Sequence, residues 1–187
     1  MPLNCPAPTG ESAVWRRWIS PRPSDVQLAL DAAVRFLAQR PRSEYEIRQR
    51  LRRAGVDDAV IGAVLAQLRQ HRLVDDQAFA EYWVEQRQTF RPRGARLLRA
   101  ELARLGVARS GADEATASLE GSAEDNAYRA AGKRAMQLRG LDERTFSSRL
   151  GQWLARRGFD WDTIAPVVDR LWAELSTSSS SARAPMA

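Results

Sequence analysis

The side chains best equipped for chemistry are few in this chain. His71 is the only histidine and Cys5 the only cysteine. No Ser/His/Asp triad, Cys/His metal set or histidine general base can be assembled around them. His71 falls at the end of a helical stretch and reads as a surface or capping residue. No GxxxxGK[ST] or GxGxxG segment offers a phosphate-binding loop. Asp75-Asp76 invites a metal reading. A carboxylate there also serves the helix starting near Gln77, accepting bonds from its first-turn amides, and that role needs no catalysis. The expectation is a non-enzyme with no catalytic, cofactor-binding or metal-binding residues and no cofactor.

What remains is positive charge. The densest run is RQTFRPRGARLLRAELAR, where Arg87, Arg91, Arg93, Arg96, Arg99 and Arg104 stand against Glu101 alone. Arg96 and Arg99 are three apart and share a helix face, as do Arg48 and Arg52 at four apart. Arg48, Arg52, Arg87, Arg91, Arg93, Arg96 and Arg99 are the candidate partner-binding residues, chosen by charge. Two readings fit them: a solvated outer face, or a strip facing phosphates or a carboxylate-rich protein groove. The net charge of +6 comes from 29 basic and 23 acidic residues, all the basic ones except Lys133 being arginine. GC-rich codon usage and an anionic partner both account for that.

The elements that carry such a strip are helical. The 187 residues, 44% of them hydrophobic, are rich in the helix formers Ala, Leu, Arg, Glu and Gln, with little of the alternation that marks strands. A single cysteine forms no internal disulfide, no apolar run reaches the ~18 residues of a membrane span, and the N-terminus lacks a signal-peptide core. A cytoplasmic monomer is expected. Residues 1–24 and 176–187 read as flexible tails. Trp15-Arg16-Arg17-Trp18 in the first fits either a docking segment or a start-site artefact.

Between the tails one pattern recurs: LRRAGV at 51–56, LARLGV at 102–107 and LARRGF at 154–159. Leu51, Leu102 and Leu154 would bury a second helix, and Gly55, Gly106 and Gly158 would turn the chain into a third without a Cβ clash. Counting from each Gly, positions +6, +9 and +13 are Ile61, Val64 and Leu68, then Ala112, Ala115 and Leu119, then Ile164, Val167 and Leu171. This is a tandem array of three-helix, helix-turn-helix-like units, over 25–73, 74–121 and 122–175, expected to be elongated and curved. Ser43 opens a capping box with Glu46, Asp57 or Asp58 caps the next helix, and Asp142 caps a later one. Leu30, Ala33, Val34 and Leu37 mark the first helix's buried face, and Ala54 extends that of the second. Pro166 fits only a first turn, with Thr163 as cap.

The stretch Arg42-Ser43-Glu44-Tyr45-Glu46-Ile47-Arg48-Gln49-Arg50-Leu51 followed by Gly55, then Leu73-Val74-Asp75-Asp76 with Phe79-Ala80, then Gly94 and Glu101-Leu102 before Gly106, resembles the RecX family of RecA regulators. The resemblance covers about residues 27–175 and is strongest over 30–107. It implies three tandem three-helix repeats that bind RecA filaments and suppress strand exchange, ATP turnover and co-protease activity, in DNA repair and the SOS response. It also implies some binding to single- or double-stranded DNA. An independent alternative is a DNA-binding module acting directly through a helix-turn-helix.

Overall fold

Every regular element among the described residues, 22–181 of this computed structural model, is helical. The helices are α1 Pro23–Leu37, α2 Glu44–Arg53, α3 Asp58–Gln70, α4 Asp76–Phe90, α5 Ala95–Arg104, α6 Arg109–Ala117, α7 Ala123–Leu138, α8 Glu143–Arg156 and α9 Trp161–Ser181, with a short 3-10 turn at Glu120–Ser122. They fall into three successive groups of three. Cys5 and the Trp15–Trp18 stretch lie outside the described residues.

Two compact units divide the chain. One holds the described residues up to Arg40 together with Ile47–Leu73, and the other holds Pro41–Glu46 and the described residues from Val74 onward. In the first unit α1 packs on α3, and Ala29, Ala33, Ile47, Leu51, Ile61, Val64, Leu65 and Leu68 are buried. The second unit has two apolar clusters. Phe79, Leu98, Leu102 and Ala112 centre the α4–α6 cluster, and Ala131, Phe146, Leu150 and Ile164 centre the α7–α9 cluster. All nine residues at +6, +9 and +13 from the repeated glycines are buried.

The repeated Leu-x-x-x-Gly is one turn made three times. Gly55, Gly106 and Gly158 have φ of +77°, +82° and +86°. In each copy the amide after the glycine donates to the leucine carbonyl: Val56 to Leu51 at 3.1 Å, Val107 to Leu102 at 3.0 Å and Phe159 to Leu154 at 3.4 Å. The glycine amide donates in turn to Arg52, Ala103 or Ala155. This Schellman pattern closes the helix and satisfies carbonyls that its end leaves orphaned. The leucine therefore has two jobs, since its side chain fills the core while its carbonyl anchors the turn.

A second regularity lies within the second unit. The residue preceding α2 and the residue preceding α5 each reach the carbonyl just before the next repeat's glycine. Ser43 Oγ donates to the Leu105 carbonyl at 2.6 Å, and the Gly94 amide donates to the Arg157 carbonyl at 2.9 Å. The glycines sit at these junctions with no room to spare. A Cβ on Gly106 would lie 2.7 Å from Tyr45 Cγ, one on Gly158 would lie 2.5 Å from the Leu97 nitrogen, and one on Gly94 would lie 2.5 Å from the Phe159 nitrogen.

The structure corrects several local expectations. On α1 Ala33 is buried as expected and Leu30 and Leu37 are half-buried, but Val34 is 43% exposed and Ala29 is buried in its stead, because the face meeting α3 runs through the two alanines. Ala54 lies past the end of α2 and is exposed. Asp57 precedes α3 without a side-chain capping bond, and Asp58 is instead held by Arg52. α9 starts at Trp161, with the Thr163 and Ile164 amides donating to the Asp160 carbonyl. Thr163 is thus inside the helix, and Pro166 stands beyond the first turn at the cost of one intrahelical bond. α1 takes in Pro23 and Ser24, and α9 runs through residues 176–181, all expected in tails.

Candidate partner-binding surface

Helix starts account for the carboxylate pair. Asp75 precedes α4 and accepts from the Gln77 amide at 2.8 Å and the Ala78 amide at 3.2 Å. Asp76 accepts from the Glu44 amide at 2.9 Å, serving the start of α2. There Ser43, fully buried, accepts from the Glu46 amide at 3.2 Å, while Glu46 accepts from the Ser43 amide at 3.3 Å. Among the described residues no group of three or more His, Cys, Asp or Glu side chains gathers as a metal site. His71 is the exposed C-cap of α3.

The arginine run divides once folded. Glu101, beside α4, accepts from Trp83 Nε1 at 3.0 Å and pairs with Arg87 at 3.3 Å and with Arg93. Arg87 also lies 4.0 Å over the Trp83 ring. Arg99 reaches Asp113 at 2.9 Å and Glu120 at 3.1 Å. Arg96 donates to the Ala155 carbonyl at 2.9 Å and lies 3.8 Å from Asp160. Four of the five candidates on this run therefore tie elements of their own unit together. Counting charge along the sequence sets only Glu101 against them. Folding adds Asp113, Glu120 and Asp160, which no local count includes. In the first unit Arg48 is half-buried on α2, and Arg52 forms a two-pronged pair with Asp58 at 2.8 and 3.2 Å. That bond holds the Asp58 carboxyl below its usual pKa.

Of the five candidates on the run, Arg91 alone has no acidic partner among the described residues. It is exposed just after α4 and shares a cavity of about 420 Å³ with Arg129, Lys133 and Arg134 of α7 and with Arg157 after α8. Sequence reasoning missed these four. The signal was present in Arg129 and Lys133, four apart, with Arg134 beside them, but it lay outside the densest run. Burial first, and then the charge of Arg91, pull the Arg157 pKa below its ordinary value.

Three family models match in tandem: the first RecX three-helix domain over residues 29–68, the second over 75–115 and the third over 122–168. The regulatory protein RecX of Chlorobium limicola is 33% identical over 140 residues, covering 75% of this chain and 87% of that one. The chain belongs to the RecX family. A Geobacillus thermodenitrificans RecX is 40% identical over 144 residues, 76% of this chain, but the match spans only 54% of that longer relative. The crystal structure of RecX from Lactobacillus salivarius superposes with a TM-score of 0.72 over 79% of this chain and 97% of that one, at 21% identity. Each matched RecX domain contains one copy of the Leu-x-x-x-Gly turn. No helix among the described residues is long and apolar enough to cross a membrane.

Proposed function

We propose that this protein is a regulator that binds RecA nucleoprotein filaments and restrains strand exchange, ATP turnover and co-protease activity. The observation that carries the reading is the ordered match of all three RecX domains across residues 29–168, together with relatives named as regulatory proteins. The mechanism needs no chemistry of its own. Tandem helical units bearing arginine suit contact with a polyanionic or carboxylate-rich filament, where they obstruct it sterically. Arg48 and Arg91 are the contacts this reading favours, with the outward parts of Arg52 and Arg96. Arg87, Arg93 and Arg99 hold the surface in shape through their acidic partners.

The test is ATP hydrolysis by RecA on single-stranded DNA at physiological salt. Inhibition is expected at concentrations where naked DNA stays unbound, and Arg91→Ala should weaken it while leaving the melting temperature unchanged. Absence of any effect on RecA overturns the proposal. Inhibition seen only at DNA-saturating concentrations means that the protein acts on DNA directly.

A further inference from the structure

The α4–α7–α8 cavity differs in charge from a neighbouring cavity in the same unit. The second cavity, about 270 Å³, sets Arg93 and Arg99 against Glu120, Asp160 and Asp162, so its charge is internally balanced. The first is lined by ten residues, of which Arg91, Arg129, Lys133, Arg134 and Arg157 are cationic and none is acidic. Three of its four guanidinium groups are held by neutral oxygens. Arg129 Nη2 donates to Asn126 Oδ1 at 2.8 Å, Arg134 Nη1 to Gln137 Oε1 at 3.0 Å, and Arg157 Nη1 to the Pro92 carbonyl at 3.4 Å. Neutral acceptors fix position without cancelling charge, and Arg134 Nε is buried with no hydrogen-bond partner. Five like charges around one hollow repel one another, and a multiply charged anion relieves that repulsion.

The rim narrows the class of anion. Phe90, the last residue of α4, is 75% exposed. Trp153 also lines the cavity, with the Arg157 guanidinium 4.1 Å over its ring. A bare inorganic anion has no use for these rings, whereas a nucleotide presents phosphate and a stackable base together. The volume lies within the range of small-ligand pockets. We propose that this cavity is a nucleotide site: Arg129, Lys133 and Arg134 take the phosphate, and Phe90 takes the face of the base. The nucleotide is a free diphosphate or triphosphate. The assignment goes beyond the filament-binding reading and does not depend on it.

The experiment uses the full chain without RecA, at physiological salt, with three probes: ADP, inorganic pyrophosphate and a short fluorescent oligothymidylate. Arg129→Ala/Lys133→Ala should weaken all three about tenfold or more and lower the strand's salt dependence by about two counterions. Phe90→Ala should weaken ADP and the strand about tenfold yet leave pyrophosphate unchanged. Arg104→Ala/Arg109→Ala, an equal loss of charge outside the cavity, should change binding less than twofold. ADP binding tighter per site than the strand is the expected order, and the reverse order overturns the assignment to a free nucleotide. The site is overturned if none of the probes binds, if the cavity variant binds like the parent, or if the control pair loses as much. Unchanged melting temperatures confirm that each variant is folded. RecA inhibition by the same variants separates failure of this site from failure of the filament reading.

Discussion

Gly55 and Gly158 close the same turn with the same two backbone hydrogen bonds, yet their surroundings have nothing in common. Gly55 has open space where a Cβ would stand, whereas Gly158 has the backbone of Leu97 there. Both lie in the left-handed region, at φ +77° and +86°. One glycine is required by conformation alone. The other is required by conformation and by the approach of the helix that precedes it in the array. A repeated residue can thus be held in place by different forces in different copies, and the sequence pattern does not separate them.

Gly94 isolates the second force. Its φ of −70° suits any residue, so the whole cost of adding a side chain is steric. A Cβ there meets the Gly158 carbonyl group and the Phe159 nitrogen, which are backbone and cannot rotate aside. Gly94→Ala should destabilise by about 3 kcal/mol or more, and it breaks the Gly94–Arg157 hydrogen bond if the chain shifts to make room. Gly55→Ala should cost only about 1 kcal/mol, the left-handed penalty. Urea unfolding of the two variants decides the comparison. Equal losses would mean that the junction is soft and that the contrast between open and closed turns has no energetic content.

Ser43 comes next in size. It is the counterpart of Gly94 one repeat earlier, but its side chain rather than its amide makes the bond to the next turn. Ser43→Ala removes a buried bond to the Leu105 carbonyl and one half of the capping box, for a loss of about 2 kcal/mol. Ser43→Thr keeps the hydroxyl and should recover part of it. If alanine behaves like the parent in thermal unfolding, the Leu105 carbonyl does not need its donor.

The end of α3 sharpens the conformational half of the comparison. Leu73 donates to the Leu68 carbonyl at 2.8 Å and Arg72 to the Arg69 carbonyl at 2.9 Å, the same bonds as in the glycine turns. Here, however, the left-handed position holds Arg72 at φ +54°. Arg72→Gly should stabilise by up to about 1 kcal/mol, the relief of strain being partly offset by the freer unfolded chain. A destabilised variant would show that the arginine side chain contributes more than its backbone costs.

The repeat architecture was legible because its signals are local. A leucine four residues before a glycine, followed by apolar positions at fixed offsets, reports burial and turn geometry in one short window. The three long-range features were not. Nothing near Arg99 in the sequence announces Glu120. Nothing near Arg91 announces Arg157. The close approach of Gly94 to Gly158 joins residues 64 positions apart. Charge-based selection of partner residues failed to separate arginines that fold inward onto acids from those that gather in a cavity, since both look alike along the chain. Helix ends were blurred for a related reason. α9 could start before Thr163 because packing of Ile164, Val167 and Val168 holds the helix despite Pro166, and propensity alone does not weigh that packing.

Asp142 occupies, in the third copy, the place of Ser43 and Gly94, and it provides the smallest test. Its carboxylate accepts from the Thr145 amide at 3.0 Å and caps α8 alone. That amide, foremost, holds its pKa below the ordinary 3.8. A group whose folded pKa is depressed contributes stability that is complete above its unfolded pKa and is lost as pH falls through the folded one. Asp142→Asn keeps an acceptor and removes the charge at the helix's positive end. The gap in melting temperature between parent and variant should therefore be small and constant from pH 7 down to about 5, and should narrow as the pH falls below about 4 towards the depressed folded pKa. A gap that does not narrow at all as the pH falls below about 4 would assign the effect to the shape of the cap rather than its charge, and Asp142 would then differ from Ser43 only in which carbonyl or amide it reaches.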